Sequence, residues 1–195
     1  MDTLQLHCQA QDDFAAVLTV VPDDHWTART PCPAWSVRDV AGHAVWGQHQ
    51  LRAWALGEDY DQSQGGPGTA HPGVHAGIDP LARWREASTA CLAALTPESL
   101  TRVITLPGLG EVPIAGLVAL LTTDLVAHTW DIGHAVGADV ALHPDTVAAA
   151  FAWARAHAVR RPGFFGPELA PPADADDRTR LMAFLGRAAW EPVTT

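Results

Sequence analysis

The most informative chemical pair in this sequence is a carboxylate and an imidazole four residues apart, Asp124 and His128. They lie in TTDLVAHTWDIGHAVG, residues 122–137, which is otherwise rich in apolar residues. On a helix this spacing places both side chains on one face, about 6 Å apart along the axis, so they can converge on one point. Because an unpaired buried carboxylate is costly or becomes protonated, Asp124 needs a positive partner.

A second imidazole, His43, shares the apolar face of an earlier predicted helix with Val40 and Leu51. Two histidines and one carboxylate are the donors of sites that leave positions open for water or substrate, as in catalytic Zn²⁺ and non-haem Fe²⁺ proteins. The sequence therefore predicts a divalent metal, zinc by preference, held by His43, Asp124 and His128. A metal-free core, in which an imidazolium neutralises Asp124, stays open as an alternative.

Four further residues are candidates for the surroundings of this centre. Trp46 and Trp130 are close in sequence to the predicted ligands and are expected to line a substrate cavity. Asp131 is a candidate to orient His128 from behind, or to act as a general acid. His49 is the second candidate for the general acid.

The other cysteines and histidines are interpreted as structural. Cys32 lies between two prolines without an activating neighbour in the sequence, which favours packing over a nucleophilic role. His71 and His75 also have the i, i+4 spacing, but HPGVH is not expected to be helical, so no ligation is predicted there. The remaining histidines are expected at the surface or as helix caps: His7, His25, His134, His143 and His157.

The elements that position these residues are predicted mainly by apolar periodicity. The predicted helices are Thr3 to Val21, Ser36 (as N-cap) to Gly57, Pro80 to Leu95, Ile114 to Val136, Pro144 to Arg160 and a short last one, Asp177 to Arg187. Thr101 to Pro113 is predicted as a hairpin, and Gly57 to Pro80, dense in glycine and proline, as a long loop over a binding site. We expect one all-α domain, residues 1–195, folded as a four-helix bundle with a small hairpin and additional C-terminal helices.

Composition limits the classes of partner. The 195 residues are 48% hydrophobic and 17% charged, with a net charge of −10, which is typical of a globular protein and unfavourable for nucleic-acid binding. The three cysteines form no disulfide or metal-binding motif, and the first residues lack the apolar core of a signal peptide. We expect a cytoplasmic protein that acts on a small molecule, without nucleic-acid or membrane partners; a homodimer stays open.

Three stretches carry a resemblance to a known family: TPCPAWSVRDVAGHAVW, DLVAHTWDIGHAVGAD and PADADDRTRLMAFLGR. Together they resemble the mycothiol-dependent maleylpyruvate isomerase group, in its short single-domain branch of the DinB-like superfamily. The resemblance implies a DinB-like four-helix bundle with one divalent metal, usually zinc, and ligands at His43, Asp124 and His128. The isomerase itself has glutamate in place of Asp124 and a catalytic arginine in a separate C-terminal domain, for which this chain has no room. A different substrate is therefore expected.

The leading functional hypothesis is a metal-dependent enzyme of the thiol transferase or isomerase type. The metal would bind a low-molecular-weight thiol such as mycothiol and lower its pKa, and the thiolate would attack an activated alkene or epoxide. Two alternatives stay open: a hydrolase that uses metal-activated water, and a metal-dependent protein that binds or sequesters a small molecule without turnover.

Overall fold

The regular structure in the computed structural model is almost entirely helical; the residues that the structure describes are 1–60, 63–106, 110–160 and 164–190. The α-helices are α1 (Thr3–Thr19), α2 (Val37–Leu56), α3 (Pro80–Ala94), α4 (Pro97–Thr101), α5 (Ile114–Val136), α6 (Pro144–His157) and α7 (Asp177–Phe184). Strands β1 (Val103–Leu106) and β2 (Gly110–Pro113) pair antiparallel, with Val103 opposite Pro113. The predicted turn of this hairpin, 107–109, lies outside the described residues.

The four long helices α1, α2, α3 and α5 pack against one another as a bundle. Helix α6 lies against α5 and α1, and α7 lies against α6, so the C-terminal helices are additions to the bundle. The predicted all-α bundle with a small hairpin is confirmed. That residues 1–195 form a single domain stays a prediction. No helix in the described residues is both long and apolar enough to cross a membrane.

Two apolar clusters fill the bundle at different levels. The larger cluster includes Phe14, Val40, Trp84, Leu125, Ile132 and Met182, and the smaller one includes Leu51, Cys91, Ile114, Leu117 and Val118. Along α5 the polar residues Thr122 and Asp124 come after Val118 of the smaller cluster and before Leu125 of the larger one. Thr122 and Asp124 therefore lie on α5 where the two apolar clusters meet.

Local sequence explains where the two helices that carry the predicted ligands begin and end. The Ser36 side chain accepts from the backbone N–H of Asp39, and the Asp39 carboxylate accepts from the backbone N–H of Ser36, which is the predicted capping box at the start of α2. Helix α5 ends at Gly137, whose φ of 68° is favourable for glycine. These ends set the lengths of the two helices on which His43, Asp124 and His128 lie.

Some sequence predictions need correction. The segment Pro72–Ala76 is a 3₁₀-helix that begins at a proline, so HPGVH is helical in part. Helix α4 was not predicted because its five residues are too few for a periodic pattern. The last helix ends at Phe184, three residues before the predicted end at Arg187, and Gly186 with a φ of 84° turns the chain away from the helix. His143, as expected, caps α6.

Candidate metal centre

The structure brings the three predicted ligands to one point between α2 and α5. His43 Nε2 lies 3.1 Å from Asp124 Oδ2, and His128 Nε2 lies 3.3 Å from Asp124 Oδ1. Both imidazole side chains are 6% exposed and the carboxylate is 22% exposed, so the cluster is buried with one partly open side. One donor atom from each residue lies within 4.8 Å of the other two. We call His43, Asp124 and His128 the ligand cluster.

The hydrogen bonds behind the two imidazoles determine which nitrogen faces the centre. His43 Nδ1 lies 2.6 Å from the carbonyl oxygen of Gly65, and because a carbonyl only accepts, Nδ1 carries the proton. His128 Nδ1 donates in the same way to Asp131 Oδ2 at 2.9 Å. Both Nε2 atoms are therefore left to face Asp124. Metal-binding histidines in proteins are usually held by such a bond from the opposite nitrogen.

The electrostatics of the cluster favour a cation at its centre. Burial alone would raise the pKa of the Asp124 carboxyl group, but the charges of His128 and His43 outweigh burial and hold that pKa well below its usual range. Burial would lower the pKa of His128, whereas Asp124 raises it, and the net result lies well above the ordinary value. A carboxylate that is ionised at neutral pH thus faces the Nε2 side of both imidazoles, where either a proton or a metal ion can neutralise it.

The donor set also fits a metal by type and spacing. Tetrahedral zinc with bonds of about 2.0–2.1 Å has ligand atoms about 3.3 Å apart, close to the two separations observed here. Three protein donors are the number found in catalytic zinc sites, in which the fourth position takes water or substrate. The residues present are therefore suited to hold one divalent metal ion.

Asp131 lies directly behind His128 and is saturated with hydrogen bonds. Its side chain is 0% exposed and accepts from Arg187, from His128 Nδ1 and from the Cys32 thiol, whose Sγ is 3.1 Å from Oδ2. Burial would raise the pKa of the Asp131 carboxyl group, but Arg187 and His128 outweigh burial and hold it well below its usual range. Of the two predicted roles of Asp131, this geometry favours orientation of His128 over proton transfer to a substrate.

The loop between α2 and α3 closes one side of the centre through its backbone. Besides the Gly65 carbonyl at His43, the Thr69 carbonyl accepts from Trp35 Nε1 at 2.9 Å. The backbone of Gly65 lies against the Trp46 ring so closely that a β-carbon there would overlap the indole. Trp46 in turn stacks on the His43 ring, with centroids 5.9 Å apart and planes 19° apart. The loop and two tryptophans therefore limit access of water to the centre.

Comparison with known proteins adds a family to this geometry. The profile described as "Mycothiol maleylpyruvate isomerase N-terminal domain" matches residues 8–133, which include the ligand cluster and Asp131. The chain belongs to this family. Arg187 lies outside the matched residues.

Two sequence relatives and two solved structures illustrate the range of the maleylpyruvate isomerase N-terminal domain family. Uncharacterized proteins Rv0738 and MT0763, from Mycobacterium tuberculosis strains H37Rv and CDC 1551, are each 35% identical over 96% of this chain and 98% of the relative. The crystal structure of the mycothiol-dependent maleylpyruvate isomerase has a TM-score of 0.57 at 12% identity, over 76% of this chain and 68% of that chain. A histidine-to-alanine mutant of that isomerase has a TM-score of 0.56 over the same shares, also at 12% identity. The structural likeness shows a shared fold.

Two residues predicted for the site lie elsewhere in this family member. Trp130 packs in the larger apolar cluster and stacks on His134 at 4.5 Å, on a different face of α5 from His128. His49 has Tyr60, Arg83 and Glu86 as neighbours, so it faces α3. Both predictions relied on closeness in sequence, whereas a helix turns about 100° per residue and separates near neighbours onto different faces.

Three residues that sequence analysis did not assign to the site do contact it. The Trp35 ring lies 4.8 Å from the His43 ring and 6.0 Å from the His128 ring. Cys32 lacks an activating neighbour in the sequence but has three charged groups beside it in space, and Arg187 binds Asp131. Burial and Asp131 nevertheless raise the pKa of the Cys32 thiol, which keeps it protonated and consistent with a packing role.

A cavity of about 700 Å³ lies beside Trp35 and Cys32, and the three residues of the ligand cluster are not part of its lining. Its lining includes Arg29, Cys32, Trp35, His71, His134 and Arg187. This volume lies in the range of small-molecule sites, about 300–1,000 Å³. Asp39 also lines the cavity, but its carboxylate already accepts from Ser36 and from the Gly73 backbone. Arg29 has no ion-pair partner among the described residues, so the cavity offers a free positive charge in a protein of net charge −10.

Proposed function

We propose that this protein is a divalent-metal-dependent enzyme of the thiol transferase or isomerase type. In the proposed reaction a low-molecular-weight thiol, mycothiol in the first instance, adds to a small electrophilic substrate. The observation that carries the proposal is the pair of imidazoles that turn Nε2 toward one ionised carboxylate while each Nδ1 donates to a fixed acceptor. Membership of the family whose description names mycothiol supports the choice of thiol.

When a divalent metal is bound, it supplies Lewis acidity that lowers the pKa of a coordinated thiol into the neutral range. With a metal in place of the proton that Asp124 otherwise stabilises on His128, the Nε2 atoms of His43 and His128 would be neutral donors, and Asp124 would supply the negative charge that favours a cation. The Gly65 carbonyl and Asp131 hold the two rings in orientation. The loop backbone limits access of bulk water to the ligand cluster, together with Trp35 and Trp46. This exclusion of water would protect a thiolate there from protonation.

The overall chemistry of addition to an activated alkene is balanced without an oxidant. The sulfur–hydrogen bond and the carbon–carbon π bond break, and a sulfur–carbon bond forms at the electrophilic carbon. The neighbouring carbon gains one proton, which balances the proton that the thiol loses. Departure of the thiol after rotation about that carbon–carbon bond would give an isomer. The cavity beside Trp35 and Cys32 has the volume for such a substrate, and Arg29 favours one that carries an anionic group.

The test begins with metal content and then moves to turnover. We expect about one equivalent of zinc or another divalent metal in the native protein, and loss of that metal in His43→Ala and His128→Ala variants. With mycothiol present, the metal-loaded protein should then convert electrophiles such as activated alkenes and epoxides. A transferase would consume the thiol and give a conjugate, and an isomerase would regenerate the thiol and give an isomer. A native protein that binds no metal after reconstitution would overturn the proposal.

Two other outcomes would replace the proposed function with a different one. Metal-dependent hydrolysis that proceeds at the same rate without any thiol would identify a hydrolase. Saturable binding of a small molecule to the metal-loaded protein, with no turnover of any substrate offered, would identify a binding or sequestering protein. Glutathione and cysteine serve as matched thiols to establish whether mycothiol is specifically required.

A further inference from the structure

The third stretch that carried the family resemblance, 172–187, ends at a residue that reaches the metal centre from outside the bundle. After α7 the chain turns at Gly186, where a φ of 84° suits glycine and a β-carbon would overlap the Gly166 backbone. This turn sends the next residue, Arg187, inward. Its side chain is only 9% exposed, although it follows a surface helix.

Arg187 makes a two-pronged contact with Asp131. The guanidinium Nε donates to Oδ1 at 2.7 Å and Nη2 donates to Oδ2 at 2.7 Å. Nη1 donates to the Leu185 carbonyl at 3.2 Å, and Nη2 also lies 3.5 Å from the Cys32 sulfur. Such a fork fixes both the position and the plane of a carboxylate, which a lysine ammonium cannot do.

The fixed carboxylate is the one that orients a predicted metal ligand. Oδ2 of Asp131 accepts from His128 Nδ1 at 2.9 Å, and the opposite nitrogen of that ring faces Asp124. The contacts therefore run without interruption from Arg187 through Asp131 to His128 Nε2. Asp131 and His128 lie three residues apart on α5, whereas Arg187 comes from a different segment, 56 residues further along the chain than Asp131.

We propose that Arg187 is a positioning residue of the metal centre: by fixing the Asp131 carboxylate it holds His128 in the tautomer and ring orientation that direct Nε2 toward the metal. This inference rests on the proposed metal-dependent function, and extends it to a segment beyond the family match at 8–133. Outer contacts of this kind typically contribute about 10- to 100-fold to metal affinity.

The main alternative is that the ion pair only anchors the C-terminal segment. Other contacts already do so: Leu181, Met182 and Leu185 are buried in the larger apolar cluster. The Arg160 guanidinium also donates to the carbonyls of Gly166 and Phe184. Because a buried ion pair is seldom a net source of stability, anchoring by itself gives little reason for Arg187 and Asp131 to be charged.

The decisive experiment compares zinc affinity in variants of the full chain, measured by competition with a chromophoric chelator. Arg187→Lys keeps the positive charge and removes the fork, and we expect about 10- to 100-fold weaker zinc binding. The Co²⁺-substituted variant should also show a changed visible absorption spectrum, because the ligand geometry at His128 is altered. Arg178→Met is the matched control, since Arg178 lies on α7 and pairs with exposed Asp139.

A double variant, Arg187→Met with Asp131→Asn, keeps the test decisive if the lysine variant does not fold. It retains a hydrogen-bond acceptor for His128 Nδ1, removes the fork, and leaves no single charge buried. We expect weaker zinc binding here too, by at least about tenfold, and an unchanged affinity in the Arg178 control.

The outcomes separate this inference from the proposed function. If the native protein binds zinc and the folded Arg187 variants bind it within about threefold of the native affinity, Arg187 has a structural role only and the inference is overturned. A lower midpoint of thermal unfolding in the metal-free variants would not rescue it. If the native protein binds no metal, the proposed function fails and the inference fails with it.

Discussion

Two buried polar clusters lie on the same helices α2 and α5, and they differ in nearly every property that matters for metal binding. The His7 cluster consists of His7 and Gln11 on α1, Gln48 on α2 and Thr122 on α5. The ligand cluster takes His43 from α2 and both Asp124 and His128 from α5. All three histidines are buried, so burial of an imidazole does not distinguish a ligand from a core residue.

The difference lies in what each imidazole nitrogen contacts. The Thr122 hydroxyl donates to the Val118 carbonyl, so it accepts from His7 Nδ1 at 2.9 Å. Gln11 Nε2 donates to Gln48 at 2.6 Å and lies 3.2 Å from His7 Nε2. Both nitrogens of His7 thus have uncharged partners. In the ligand cluster Nδ1 of His43 donates to a backbone carbonyl and Nδ1 of His128 donates to the Asp131 carboxylate, and both Nε2 atoms face the Asp124 carboxylate.

The pKa values follow from this contrast. Burial lowers the pKa of His7 to about 4, because it disfavours the charged form and no anion among the described residues offsets it. His128 is buried to a similar degree, and yet Asp124 raises its pKa well above the ordinary value. Carboxylates beside the imidazole, Asp124 above all, therefore separate a site that attracts cations from a neutral hydrogen-bonded core. An expectation that had placed His7 at the surface was wrong, since its side chain is fully buried.

The largest difference between the clusters should be in metal binding itself. His43→Ala and His128→Ala are each expected to lose the single equivalent of zinc, because two remaining donors hold zinc weakly. His7→Gln should retain about one equivalent, since His7 has no lone pair directed at a shared point. Elemental analysis of the three purified variants checks this. Loss of zinc in His7→Gln alone would show that zinc binds at the His7 cluster and not at the ligand cluster.

The second difference should appear in the pH dependence of stability. The pKa of His7 is lowered from 6.5 to about 4 in the folded state. The contribution of neutral His7 to the free energy of unfolding is therefore complete above pH 6.5 and is lost as the pH falls toward 4. At about 1.4 kcal/mol per pKa unit, the loss between pH 7 and pH 4 is about 3 kcal/mol. Urea unfolding of the metal-free native protein and of His7→Gln at the two pH values measures it. Parallel pH profiles for the two proteins would contradict the assignment of a neutral His7.

Zinc should stabilise the fold through one cluster only. At a free zinc concentration about 100 times the dissociation constant, the free energy of unfolding should rise by about 2.7 kcal/mol. We expect this increase in the native protein and in His7→Gln, and its absence in His43→Ala. Thermal unfolding scans with a zinc buffer series provide the measurement. An equal stabilisation of His43→Ala would show that zinc binds elsewhere.

The smallest effect expected is on the hydrogen bonds of the His7 cluster. Thr122→Val removes the acceptor of His7 Nδ1 and should cost about 1–3 kcal/mol of folding free energy without a change in zinc affinity. Thr129→Val is the matched control on α5, because the buried Thr129 hydroxyl has no hydrogen-bond partner within the described residues. That control should be neutral or slightly stabilising. Equal losses in both variants would mean that the methyl packing, rather than the hydrogen bond, is at stake.

The ligand cluster was predictable because it depends on periodicity. His43 lies in an apolar row on α2, and Asp124 and His128 lie one turn apart on α5, so local spacing alone points all three inward. Trp130 and His49, which the structure does not bring to the ligand cluster, were assigned by proximity along the chain. Helical rotation takes each of them to a different face.

Sequence by itself determined the helices, the capping box at Ser36 and the inward direction of the three predicted ligands. These features depend on interactions within a few residues of one another, which a linear pattern records. Only the tertiary structure decided which nitrogen of each imidazole faces Asp124, since that choice depends on Gly65 and Asp131. It also brought Cys32 and Arg187 to Asp131 across separations of 99 and 56 residues. No periodic signal links a loop between prolines or a turn after the last helix to a helix in the middle of the chain, so packing alone joins them.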